Sequence, residues 1–457
     1  MDDTGKPGFI PRLKEAVLGS AEPPLVFLGN FEVEEEWAAD EQGLPRVSAS
    51  GGAAVVNRMD EFALLLGGKG DHVVLKRAPD PGYRAYLEEL GLDLPEIHVA
   101  AESDPARNVS RDALADPALL RALAGLAAGG AHLLAHGVST VEEELSARTG
   151  VPLAAPGAAR CKAVNSKVYS RRIADELGLR QPGGWACDTL EELAEAVTGA
   201  AEVLATGRKV VLKEAFGVSG KGISVVTSRH RLDRLHRMIE KTARRAGRER
   251  IAFVLEDWVD KRTDLNYQFT VGRDGSAHFD FVKEAITEGG VHKGHRIPAR
   301  LDDAQLAAIT RAAEVLGARL AADGYYGVVG VDALVEPDGG IFPVLEINAR
   351  NNMSTYQVPL QERFVPDGAF AMARHYPLRL ATPLPFGRVR TVLGDLLFGG
   401  TGDGLLVNNF ATVNAGAEPA AGEPFAGRLY GLLIAASADE LDALDTRITG
   451  RLAELQH

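Results

Sequence analysis

The chain has 457 residues, which at roughly 100–200 residues per domain corresponds to about three domains with a substantial core. Its formal charge of −13 excludes a general nucleic-acid or anionic-membrane binder, since both need a basic face, although local cations can still hold small anions. Cys161 and Cys187 are the only cysteines, which excludes a disulfide framework or a Cys-rich zinc site, and with no basic leader and no apolar run of spanning length the expected location is the cytoplasm.

Residues 1–160 read as an α/β domain. Leu25–Leu28 is a short apolar strand leading into Gly29 and Asn30, with further strands expected at residues 53–56 and at His72–Leu75. The GGKG run at residues 67–70 fits no Walker spacing and reads as a turn. The cluster Glu32, Glu34, Glu35 and Glu36 is either a solvated face or a site for a cationic substrate. A strand is expected at 131–135 and a helix at 141–147.

Residues 161–380 carry the features that suggest chemistry. Asn165, Ser166 and Lys167 open a helix through Leu177, with Ser166 at the N-cap and Gly178 as its stop. Lys167 lies in the first turn, where the helix dipole favours anions; a nearby phosphate explains a cation there, and an exposed lysine is the plainer alternative. Residues 209–226 then read as a hairpin: a β run ending in Lys213, a loop containing Gly217, Ser219, Gly220 and Gly222, and a second β run. Glycine lets backbone N–H groups approach phosphate oxygens closely. The loop is not a Walker A motif, because Gly220 and Lys221 are followed by Gly222. Residues 229–250 are strongly basic, but Leu232, Leu235 and Ile239 recur at helical spacing, which predicts an amphipathic helix with a solvated face.

A strand at 251–255 runs into Glu256, Asp257, Trp258 and Val259, and Asp264 follows on an alternating stretch ending at Thr270. Lys283, His292, Lys293, His295 and Arg296 cluster ahead of a helix over 302–320, where packing or phosphate contact is expected rather than metal binding. From Gly324 to Asn352 the pattern is two strands about the turn Pro337-Asp338-Gly339-Gly340. Glu346 and Asn348 are two apart and share a strand face, and the turn brings Asp332 opposite them. Two carboxylates and an amide oxygen form an oxygen-only set suited to Mg²⁺ bound together with a nucleotide, against the plainer reading of a hairpin with solvated carboxylates. Residues 381–457 read as a small α+β module. Strands are expected at 391–398, 404–407 and 428–435, then a helix capped by Ser437 and Glu440 with Leu441, Leu444, Ile448, Leu452 and Leu455 on one face.

Taken in order, these features resemble the ATP-grasp superfamily over about residues 130–375. The resemblance implies an ATP-grasp fold with an N-terminal α/β domain and a small C-terminal α+β module. It implies that Lys167 and Lys213 contact ATP phosphates under the loop at 217–222, and that residues 256–259, including Glu256, Asp257 and Val259, form the adenine hinge through their backbone. Asp264 would take the ribose, and Asp332, Glu346 and Asn348 would bind Mg²⁺. Arg350, with Lys283 or Arg296, would face the transferred phosphate and the reacting carboxylate. The terminal regions most nearly resemble the pheganomycin-type peptide ligases of actinomycetes, which join a guanidino-bearing amino acid to a peptide N-terminus. The implied partners are therefore a small carboxylic acid and a peptide amine, with room for a homodimer. A biotin-carboxylase-like enzyme is the alternative, although no Ala-Met-Lys-Met biotin attachment sequence is present.

Overall fold

The computed structural model describes residues 7–31, 33–41, 43–44, 52–217, 222–288, 291–417 and 423–455, and these fold as α/β around three sheets. The first sheet is parallel: β1 (Leu25–Leu28), β2 (His72–Leu75), β3 (Glu96–Val99) and β4 (His132–Ala135), in the order β3-β2-β1-β4. All four residues of β1 are buried, which is why it reads as an unbroken apolar run. The chain steps outward from β1 to β3 and then returns to β4. Asn30 and Gly137 therefore meet beyond the carboxyl ends of β1 and β4, where Asn30 Nδ2 donates to the Gly137 carbonyl at 2.8 Å, at the switch point where open α/β sheets collect ligands.

The second sheet is antiparallel, with β5 (Gly184–Thr189), β6 (Val210–Glu214), β7 (Ile223–Val226) and β8 (Arg250–Asp257) in the order β5-β8-β6-β7. It is backed by the Leu190–Ala205 and Arg229–Arg245 helices. The second of these buries Leu232, Leu235, Ile239 and Ala243 and turns its basic residues outward, as its spacing predicts.

Eight antiparallel strands make the third sheet: β9 (Thr263–Val271), β10 (Ala277–Glu288), β11 (Val291–Ile297), β12 (Gly327–Val335), β13 (Ile341–Asn348), β14 (Phe370–Leu380), β15 (Gly404–Asn409) and β16 (Phe425–Ala435). Their order is β13-β12-β9-β10-β11-β14-β16-β15. The strands after Leu380 thus extend the same sheet that carries Asp332 and Glu346, and a division at residue 380 falls between β14 and its ladder partner β16. The Ala438–Leu452 helix packs on β14 and β16 through Leu441, Leu444, Ile448 and Leu452, while Leu455 lies beyond it in a final 3₁₀ turn.

Two strand expectations are corrected. Residues 53–56 lie in the helix Gly52–Asn57, which runs on into a 3₁₀ segment, Arg58–Leu65; a short apolar run does not distinguish a strand from a buried helical turn. Residues 391–398 are spread over the helix Phe386–Leu393 and the 3₁₀ turn Gly394–Leu396. Phe386, Val389 and Val392 bury one face at helical spacing, and that period begins ahead of the expected strand. Ser166 occupies the N-cap of the Lys167–Glu176 helix without a side-chain capping bond. Among the described residues no helix is long and apolar enough to cross a membrane.

Candidate active site

The β12–β13 register sets Asp332 opposite Glu346 and Gly330 opposite Asn348, while β9 lays Asn266 beside Asp332. Asn266 Nδ2 donates to Asp332 Oδ1 at 3.0 Å and Asn348 Nδ2 donates to Asp332 Oδ2 at 3.3 Å. Burial, reinforced by the charge of Glu346, pushes the Asp332 carboxyl up to about 6. Two acids held this close and this dry favour a cation between them.

Lys167 approaches the same group from its helix. It is buried, its Nζ lies 2.7 Å from Glu346 Oε1, and it also donates to the carbonyl of Gly217 at 2.7 Å. Lys213, at the end of β6, forms an ion pair with Glu256, whose other oxygen is 3.4 Å from Arg171. Burial lowers the Lys213 pKa, but Glu256, Glu346 and Asp332 more than offset it and hold the ammonium above the usual lysine range. Lys213 therefore stays charged against a bank of carboxylates that an anionic ligand and its cation could share.

A cavity of about 360 Å³ opens between the second and third sheets, lined by Lys213, Gly217, the 256–259 segment, Asp264, Asp332, Glu346, Asn348 and Arg350. Asp264 accepts from Thr287 Oγ1 at 2.6 Å and pairs with Lys261. In the 256–259 segment the N–H of Asp257 donates to Gly183 at 2.7 Å and that of Trp258 to Lys209 at 3.0 Å. The Asp257 side chain turns to Arg208. Gly222 sits at φ +78° where a Cβ would come 2.4 Å from Glu214 Oε2, so that end of the loop requires glycine. Ser219 and Gly220 lie outside the described residues.

Arg350 borders this cavity and a second one of about 340 Å³. Its NH2 donates to Asn348 Oδ1 at 3.2 Å and its NH1 to the carbonyl of Asn351 at 2.9 Å, while Nε lies 2.5 Å from Glu34 Oε1. Glu36 is bound by Arg111 at 2.6 Å. Glu34 and Glu36 are thus engaged by the chain's own guanidinium groups, and Glu35 is exposed and lines a different pocket, so the described part of this cluster is not a free guanidinium site; Glu32 lies outside the described residues.

Neither basic partner expected for Arg350 reaches the cavity. Lys283 is fully buried beneath it, donates to Ser354 O at 3.1 Å and lies 4.1 Å from the Phe281 ring; burial alone drives its pKa well below the lysine range. Arg296 points from the opposite face of β11 to His295, and pairs with Asp442 on the C-terminal helix. Strand alternation explains the miss: His295 lines the first cavity, so its neighbour cannot.

Asn266 and Arg171 were missed by the sequence reading, yet both carried a signal. Asn266 is two residues beyond Asp264 on β9, and Arg171 is one helical turn beyond Lys167.

Residues 59–151 match the Pre ATP-grasp domain and residues 172–355 the ATP-grasp domain. The butirosin acyl-carrier protein L-glutamate ligase of Niallia circulans is 26% identical over 323 residues, 69% of this chain and 70% of the relative. A biotin carboxylase from Campylobacter jejuni superposes with a TM-score of 0.53 at 14% identity, over 92% of this chain and 89% of that one. An ADP complex of N5-carboxyaminoimidazole ribonucleotide synthetase gives 0.52 at 15% identity, over 95% and 97%.

Proposed function

This is a chain of ATP-grasp fold, with a pre-ATP-grasp domain ahead of its ATP-grasp domain, and from that premise we propose that it is an ATP-dependent carboxylate–amine ligase joining a carboxylic acid to a peptide amine. A carboxylate oxygen of the acid attacks the γ-phosphorus of ATP, the bond to the β-phosphate oxygen breaks, and ADP leaves behind an acyl phosphate. The amine then attacks the acyl carbon and inorganic phosphate departs. Both steps need positioning and charge neutralisation more than a protein nucleophile.

Lys167 and Lys213 are assigned to the ATP phosphates under the loop at 217–222, the 256–259 segment to adenine and Asp264 to ribose. Asp332, Glu346 and Asn348 fit Mg²⁺ by their oxygen donors and by two half-buried carboxylates set opposite each other. The ion would neutralise charge on the phosphates in transfer. The observation that carries the reading is Arg350, which lines both cavities and so can contact the transferred phosphoryl group and the acid together.

A role in natural-product assembly, in the cytoplasm where ATP is supplied, is supported by the likeness to a butirosin ligase. A carboxylase is the second reading, and it rests on fold likeness to the two carboxylating enzymes. The test is ADP and phosphate release from ATP and Mg²⁺ with a panel of carboxylic acids, using hydroxylamine or a short peptide as acceptor. The ligase reading expects release that requires the acid, with a hydroxamate or a new amide as product. Release that requires bicarbonate and no other acid would transfer the assignment to a carboxylase.

A further inference from the structure

The second cavity has a wall of flat side chains and an edge of basic ones. Phe31 lies 4.4 Å from the His136 ring and 5.1 Å from the Tyr356 ring, and Phe62 meets Tyr430 edge-on at 5.2 Å. His136 is buried, which holds it well below the usual histidine range, so at neutral pH it adds an uncharged flat surface. Phe31, Phe62, His136 and Tyr430 all line the space, and a planar hydrocarbon body can lie against such a wall of rings.

Three neighbouring strands supply basic side chains. Lys293 comes from β11, His375 from β14 and Arg428 from β16, all half-buried and all lining the cavity. Arg374, also in the lining, directs its guanidinium to Asp445 on the C-terminal helix. Among the described residues neither Lys293 nor Arg428 has a carboxylate partner, and Arg428 reaches only the Tyr430 hydroxyl, at 3.5 Å. Among the described residues Glu34 is the one carboxylate in the lining, and Arg350 already neutralises it. A cationic guest would meet unpaired like charges; an anionic one would complete them.

We propose that this cavity takes an aromatic carboxylic acid bearing a second anionic group, its reacting carboxylate at Arg350 and its remote anion on Lys293 and Arg428. The identity of the guest as the acid substrate rests on the ligase reading; the charge class of the cavity does not. It also reverses the expectation of a guanidino-bearing acid.

The probes are three phenylacetic acids that differ only at the ring 4-position: 4-carboxy, 4-carbamoyl and 4-guanidino. Their affinities for the full-length protein are measured by calorimetry with Mg²⁺ and a non-hydrolysable ATP analogue, and each is then assayed for ADP release with ATP and hydroxylamine. The expected result is that the dicarboxylate binds at least about tenfold more tightly than the amide, with the guanidino acid weakest. Lys293→Met and Arg428→Met should each erode that preference without moving the affinity for the ATP analogue. Equal binding of the three acids, preference for the guanidino acid, or an unchanged preference in both variants overturns the proposal. Selective binding of the dicarboxylate without ADP release upholds the cavity's charge class and sinks the ligase reading; ADP release without selectivity does the reverse.

Discussion

Glu346 lies 2.7 Å from the Nζ of the buried Lys167 and opposite Asp332, and the proposed function asks it to share a cation with Asp332. Glu346→Gln keeps a hydrogen-bond acceptor for Lys167 but removes the charge that compensates it, so the variant should fold with a lowered melting temperature while turnover falls ~10²–10³-fold, the usual loss for one preorganised electrostatic contact. Steady-state ADP release beside a thermal melt checks it, and near-parent turnover would remove Glu346 from the metal assignment. Lys283 poses the opposite case. Its ammonium is buried with a carbonyl and an aromatic ring but, among the described residues, no carboxylate partner, and such a group destabilises the fold it sits in. Lys283→Met should leave the melting temperature unchanged or raised; a clear fall would mean that the ammonium has a structural partner that makes it favourable. A pair of lysines beside glycine turns completes the residue scale: Lys213→Ala should raise KM for ATP, because Lys213 lines the nucleotide cavity, and the exposed Lys69 should tolerate the same change without effect.

At the scale of elements, what was legible depended on whether one period dominated. The β12–β13 hairpin was readable because alternation and a glycine turn agree, and its register then placed Asp332 against Glu346. The helix Phe386–Leu393 was misread because a window opening at Thr391 catches only its last turn. Arg296 failed for a related reason: a cluster of basic residues in sequence is split between two faces once it becomes a strand, and only alternate members reach one cavity. The Glu34 and Glu36 pairings could not be read at all, since Arg350 and Arg111 lie far along the chain. The β6–β7 hairpin supplies a test of its own. At Gly222 an alanine would meet both a left-handed φ of +78° and a Glu214 oxygen 2.4 Å from the new Cβ, so Gly222→Ala should cost ~1–2 kcal/mol and raise KM for ATP together. Urea unfolding and ADP assays read the two effects; an alanine variant equal to the parent in both would show that this turn tolerates a side chain.

For the whole molecule, the N-terminal and C-terminal regions are tied through Glu61, which lies in the Arg58–Leu65 3₁₀ segment and accepts from the N–H groups of Phe410 and Ala411, each at 2.7 Å. Burial, only partly opposed by Arg58 and these N–H groups, raises its carboxyl from 4.5 to about 7. A raised carboxyl binds its proton more tightly folded than unfolded, so its contribution is complete below about 4.5 and is lost as pH rises through about 7. The loss is on the order of 3 kcal/mol. Glu61→Gln should therefore flatten the melting temperature across pH 5–8, where the parent declines; parallel profiles would show that Glu61 is not the group responsible. This tie was invisible in the sequence, because it joins residues some 350 positions apart and nothing local marks either end.

The ladder between β14 and β16 pairs Phe370 with Ala435 at one end and Leu380 with Phe425 at the other, and the two strands also furnish His375 and Arg428 to the acid cavity. Residues 370–435 therefore hold together two of the basic side chains of the proposed acid cavity, while Lys293 stands outside them on β11. A chimaera that crosses over near residue 383 would graft one half of a ladder onto a stranger's other half. A junction at 366–369, in the turn ahead of β14, would carry both strands and their cations across intact, and is the place to exchange specificity between relatives while leaving the nucleotide machinery untouched.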